Sequence, residues 1–298
     1  MAGGAQIDGG EARATWRAAG WMLGAIASFT AMAVAGRAVA DALDTFEIML
    51  YRSALGLPMV LLGAWATGGL AGLRTRRPGL HGARNLAHFA GQNLWFAAIA
   101  SAPLAQVIAL EFTAPLWVLL LGAAILGERP GRRRIALAAL GFVGVLIVAR
   151  PFGGPIEPGV AFAALAAIGF ALTAVATRAL TRTETTASIL FWLTLIQLGL
   201  AILAAGFDGD VAWPTPQALP WVVLIAITGL SAHACLTSAL ALAPAHTVMP
   251  LDFARLPIVA AIGALAYGEA IDPWVLAGGA LILGASWTNL RLDRRASA

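Results

Sequence analysis

One apolar stretch occurs twice in this chain, and that repeat constrains the fold more than any other feature. Pro244–Glu269 reads PAHTVMPLDFARLPIVAAIGALAYGE, apolar enough to cross a membrane although an aspartate, an arginine and internal prolines interrupt it. Pro103–Glu128 reads PLAQVIALEFTAPLWVLLLGAAILGE. A shift of 141 residues places Pro103 on Pro244, Glu111 on Asp252, Phe112 on Phe253, Gly122 on Gly263, Gly127 on Gly268 and Glu128 on Glu269 without a gap. The chain is therefore an internal duplication, and each copy carries a carboxylate and a proline within an apolar helix.

Hydrophobic residues make up 60% of the chain, charged residues 11%, and the mean hydropathy is +0.82. A soluble globular domain carries about twice that charged fraction, so the composition specifies an integral membrane protein in contact with a lipid bilayer. The single cysteine, Cys235, excludes an intramolecular disulfide. The pI near 10.5 does not signal nucleic acid. All nineteen basic residues are arginines, and most fall in short loops between apolar segments, where they act as topology signals. The first apolar segment ends near Ala38-Val39-Ala40, a sequence like a signal-peptidase site. It is longer than a signal h-region and further spans follow, so it is read as a retained helix.

A membrane-crossing helix takes about 20 apolar residues. Ten such segments lie between turn signals: 18–39, 46–67, 84–101, 104–126, 132–150, 158–180, 185–206, 217–241, 246–267 and 273–290. The fold expected is an all-α integral membrane protein of ten transmembrane helices. Residues 1–17 form a cytoplasmic tail, 18–150 a first five-helix repeat, 151–157 a connector, 158–290 a second five-helix repeat and 291–298 a second cytoplasmic tail. With both termini inside a bacterial inner membrane, fifteen of the nineteen arginines fall on the cytoplasmic side; Arg37, Arg52, Arg150 and Arg255 do not. Five helices per copy is an odd number, so the second copy enters the membrane upside down. Inverted repeats pack about a pseudo-two-fold axis, place a substrate site near the midplane and support alternating access.

Several constellations are candidates for chemistry. Glu111 and Asp252 are near-equivalents across the duplication, and Arg255 lies three residues beyond Asp252 on the same helical face. They either couple substrate or protons, or tie helix ends together near the interface. The second reading is favoured because both carboxylates lie about two turns from their helix starts. On the third span Asn85, His88, Gln92 and Trp95 recur at three- and four-residue spacing as one polar-aromatic stripe, and on the eighth Thr228, Ser231, Cys235 and Ser238 do the same. These stripes line a solvated substrate cavity, or else pack helices through small polar groups. Thr173 and Thr177 share a face of the sixth span with the same two readings. Glu47, Tyr51 and Arg52 cluster at the outer end of the second span, where a structural ion pair is expected. His233 is placed off the Ser231–Ser238 stripe and assigned to no site.

No Walker A, HExxH or GxSxG motif is present, and almost no loop exceeds ten residues. Neither an ATP-driven pump nor an enzyme is indicated, and no cofactor, metal or obligate protein partner is implied. The duplicated ends Ala102-Pro103…Gly127-Glu128 and Ala243-Pro244…Gly268-Glu269, with Tyr51-Arg52, resemble the drug/metabolite transporter superfamily in its ten-helix branch of two EamA-type repeats. The phrase Pro250-Leu-Asp-Phe-Ala-Arg-Leu-Pro257 resembles the subgroup of aromatic and neutral amino-acid exporters of the YddG type. The resemblance implies secondary transport of a small metabolite, most simply amino-acid export, through a central cavity; a drug or other-metabolite exporter is the alternative. With no lysine, and with Arg255 taken as the one arginine deep in a span, a zwitterionic or neutral substrate is expected rather than a phosphate-bearing one.

Overall fold

The computed structural model describes residues 9–67, 70–126, 131–150, 156–207, 209, 211–242 and 249–296. These residues form eleven α-helices and two short 3-10 segments. The first copy holds α1 (Gly9–Val39), α2 (Thr45–Thr67), a 3-10 segment at Leu70–Leu73, α3 (Pro78–Ser101), α4 (Leu104–Glu111), α5 (Ala114–Leu126) and α6 (Arg132–Ala149). The second holds α7 (Pro158–Leu180), α8 (Thr186–Ala205), α9 (Leu219–Leu242), a 3-10 segment at Met249–Ala254, α10 (Arg255–Tyr267) and α11 (Pro273–Ala296). Helix extends into both expected tails, since α1 begins at Gly9 and α11 ends at Ala296. The Gly127-Glu128 end of the first duplicated stretch and connector residues 151–155 lie outside the described residues.

Among the described residues five helical stretches are long and apolar enough to cross a membrane: Trp16–Val39, Thr45–Ala66, Pro158–Thr177, Thr186–Ala205 and Leu219–Ala239. Leu104–Val118, Ile135–Ala149 and Pro273–Thr288 are apolar but shorter. α3 is in neither group, because Arg84, Asn85, His88, Gln92 and Asn93 lower its hydropathy. The bundle therefore departs from ten uniform apolar spans where its interior becomes polar and where its helices break.

Local chemistry sets the helix starts. Asp44 and Glu47 form a reciprocal capping box on α2, each carboxylate accepting the other's backbone N–H at 2.8 Å. Pro78 opens α3 and Pro158 opens α7, where a missing N–H leaves no bond unmade. Thr185 caps α8 by accepting from Ser188 N at 3.1 Å. In the loop before α8, Glu184 accepts from Thr75 Oγ1 and Arg76 N. Burial alone would raise its carboxyl pKa, but these bonds and one with Ser188 hold it below the usual value.

The fourth and ninth spans are not continuous helices. α4 ends at Glu111, Phe112 and Thr113 turn, and α5 starts at Ala114. Pro115 has no N–H for the Glu111 carbonyl, and Thr113 Oγ1 bonds Leu110 O at 2.7 Å, so the tighter turn replaces the α-ladder. At the equivalent place in the second copy the 3-10 segment precedes Arg255, and Pro257 breaks the ladder. Both breaks fall beside the duplicated carboxylates.

Packing is largely between copies. α1 lies along α9, α3 along α7, α2 along α8 and α6 along α11, while α4 meets α10. α6 and α11 approach so closely that a Cβ on Gly144 would sit 2.7 Å from Gly278 O, and one on Gly278 equally near Gly144 O. At one end, Arg37 at the close of α1 donates to Ile99 O and Ala102 O and pairs with Glu269 at 3.1 Å. Glu269 also accepts from Leu104 N at 2.9 Å, so a residue following α10 caps α4. The contact requires Gly263, because a Cβ there would overlap the Glu269 carboxylate, and Gly268 at φ +66° turns the chain back.

Candidate functional site

Two adjoining polar groupings occupy the seam between the copies. The first is centred on Arg255, whose guanidinium bonds Glu111 Oε1 at 2.6 Å and Asp252 Oδ2 at 3.1 Å. Phe29 and Phe112 cover it at 5.1 and 5.2 Å, and the residue is 1% exposed. Trp95 donates its indole N–H to Glu111 Oε2 at 2.8 Å. The Asp252–Arg255 pair is as the spacing predicts. The third member arrives from the other copy, so both duplicated carboxylates meet on one arginine at the two helix breaks. They join the copies across their breaks, which is a different tie from separate helix ends held at the interface.

The second grouping surrounds His88. Asn85, His88, Gln92 and Trp95 are all buried on the inner face of α3, so the stripe predicted by spacing is real as geometry. Both ring nitrogens of His88 and Nε2 of Gln92 are buried with no partner among the described residues. The His88 ring packs on Phe170 at 6.1 Å and edge-on to His233 at 5.4 Å. His233 in turn packs on Phe29 at 5.8 Å, which connects this grouping to the first through one aromatic ring. Arg84 donates to Thr177 Oγ1 at 2.8 Å and to Asn85 Oδ1 at 3.2 Å. Gln197 donates to Asn85 O at 2.8 Å, while its own Oε1 is buried without a partner.

Arg52 is the most exceptional member. It is 7% exposed, and among the described residues its side chain bonds the Met49 thioether alone, at 3.6 Å. The expected pair with Glu47 does not form, because Glu47 caps α2 and accepts from Ala212 N at the helix end. Arg52 instead points inward and lies flat on α9 at Gly229, where a Cβ would stand 2.6 Å from its Nε. Arg52, Gln197, Ser53, Thr194 and Leu230 line one small pocket. Arg84 too is buried, so among the described residues Arg255 is joined inside the bundle by two further arginines. Among the described residues neither Arg52 nor Arg84 forms an ion pair.

The remaining candidates lie in packing contacts. Ser231 shares a hydrogen bond with Ser28 of α1 at 2.9 Å, and Cys235 fits against Gly24. Thr173 and Thr228 bond back to Gly169 O and Leu224 O, and Ser238 is half-buried on α9. Sequence reasoning missed Arg84 and Gln197, placed Arg52 in an ion pair with Glu47, and assigned His233 to no site. Arg84 lies four residues before His88, on the stripe's own face. Its position near a helix start made it read as a topology signal. Gln197, a lone amide within an apolar span, was a legible signal.

Comparison with known proteins matches this architecture. The EamA-like transporter family matches residues 16–150 and again 157–291, one match for each copy. The riboflavin transporter of Rhizobium johnstonii is 36% identical over 231 residues, covering 76% of this chain and 75% of that protein. The S-adenosylmethionine uptake transporter of Rickettsia bellii is 27% identical over 93% of this chain and 94% of its own. A solved crystal structure shares the fold, with a TM-score of 0.65 at 22% identity over 94% of this chain and 99% of its own. With both copies matched and the packing between them accounted for, the chain belongs to the EamA-like transporter family of the drug/metabolite transporter superfamily.

Proposed function

We propose that this multi-pass membrane transporter carries a small, acceptor-rich aromatic metabolite of the riboflavin class through the seam around His88. The observation that carries this reading is a set of buried polar atoms with no partner among the described residues, the His88 ring nitrogens and Gln92 Nε2 on α3, which face the His233 ring of α9 in the other copy. Around them Arg52 and Arg84 add guanidinium groups with no carboxylate partner among the described residues, and Phe170 and Phe29 form flat apolar walls. A buried polar group without a partner is costly, so such a set calls for a ligand that brings acceptors. An isoalloxazine ring has two carbonyls and ring nitrogens along one edge and an aromatic face to stack. The likeness to the riboflavin transporter points the same way.

Amino-acid export has less support. A buried carboxylate is the strongest partner for an amino-acid ammonium, and Glu111 and Asp252 both engage Arg255. The reciprocal packing of the copies supports an inverted, ten-span arrangement with alternating access, both termini in the cytoplasm of a bacterial inner membrane. The test is counterflow in proteoliposomes loaded with unlabelled riboflavin and supplied with the labelled vitamin. Accumulation is expected, falling about tenfold in His88→Ala and Gln92→Leu variants that melt like the wild type. Accumulation of an amino acid but not of riboflavin would return the function to amino-acid export.

A further inference from the structure

We propose that Arg52 and Arg84 form a subsite for a compact anion, so that the loaded transporter holds a negative charge at the seam. This rests on the reading of the His88 grouping as the substrate site, and it names the charge that site accepts. Arginine stays protonated in proteins, so burial cannot be relieved by neutralisation. A guanidinium presents five N–H donors; Arg52 has one sulfur acceptor, and Arg84 has a threonine hydroxyl and an asparagine carbonyl. Two buried cations without a carboxylate are the reverse of the usual arrangement, in which buried charges are paired. Arg255, with two carboxylates, shows the usual arrangement in the same bundle.

The two arginines belong to one continuous grouping. Arg52 shares its pocket with Gln197, Gln197 bonds Asn85, and Asn85 accepts from Arg84. Gly229 is required for the position of Arg52, because any Cβ there would displace its Nε. The glycine therefore lets the guanidinium lie against α9 beside the small pocket that Arg52 lines with Gln197. The anion belongs either to the substrate, as a phosphate ester, or to a free ion bound beside a neutral substrate.

Thermal unfolding of the purified full-length protein in detergent tests the subsite without transport. Gluconate is exchanged for chloride at constant ionic strength, then replaced in separate titrations by inorganic phosphate and riboflavin 5′-phosphate. A saturable rise in melting temperature with at least one of them is expected, because a ligand of the folded state alone stabilises it. A rise with chloride or inorganic phosphate assigns a free ion; a rise confined to riboflavin 5′-phosphate assigns the substrate's own phosphate. Arg52→Met should melt at or above the wild type in gluconate and lose the shift. Arg84→Gln should raise the half-saturating concentration about tenfold or more. No saturable shift with any of the three anions, or an unchanged shift in both variants, would overturn the subsite. Absence of riboflavin counterflow alongside an intact anion shift would retire the vitamin reading and leave the anion subsite standing.

Discussion

Arg255 shows how one residue makes a duplicated sequence asymmetric. Glu111 and Asp252 occupy equivalent positions, but the position equivalent to Arg255 in the first copy is Ala114. One cation therefore receives two anions, with Trp95 donating to the first of them. Removing the cation leaves two desolvated carboxylates facing each other. Arg255→Leu should destabilise the protein by about 3–5 kcal/mol, the range for breaking a buried pair. The triple change Glu111→Gln, Asp252→Asn, Arg255→Leu should recover a substantial part of that loss, read as the thermal midpoint in detergent. A triple variant no more stable than Arg255→Leu would mean that shape, not charge, governs this position. The pair at Asp252 and Arg255 was legible as an i,i+3 spacing. The partnership with Glu111 was not, since nothing local places a residue 144 positions away on the same guanidinium.

At the scale of elements, the breaks in the fourth and ninth spans matter more than their length. Prolines and short polar side chains announce where an α-ladder fails, and Pro115 and Pro257 do so here. What the broken ends then do depends on neighbours. The carboxylate of Glu269 reaches back over Gly263 to cap α4 and to pair with Arg37 at the end of α1. Its side chain is only partly buried, so the ion pair alone is worth little, and most of its effect comes through the cap on Leu104. Glu269→Gln keeps an acceptor for that N–H and should cost no more than about 1 kcal/mol. Gly263→Ala displaces the whole side chain and should cost about 1–3 kcal/mol, with the Arg37 ion pair lost while its bonds to Ile99 O and Ala102 O remain. Equal losses in the two variants would show that the cap contributes nothing.

At the scale of the whole molecule, each copy finds its main packing partners in the other. α1 lies on α9 and α3 on α7, α2 and α6 each meet their equivalents, α8 and α11, and α4 meets α10. Residues 1–150 or 151–298 expressed alone should therefore fail to give a protease-resistant membrane species, while the two halves expressed together should. A first half stable by itself would mean that packing within a copy suffices. The duplication, the membrane class and the buried stripe on α3 follow from the sequence itself, because they depend on hydropathy, on self-similarity and on the 3.6-residue period, all of which are local or one-dimensional. The meeting of Glu111 with Arg255, the inward turn of Arg52 away from Glu47, and the approach of His233 to His88 were decided by the tertiary structure alone. Each depends on which side chain of one copy faces which of the other. An arginine near a helix end looks the same in sequence whether it reaches outward to solvent or inward along the helix to a seam, and only the packed neighbours, here Gly229 and Gln197, choose between the two.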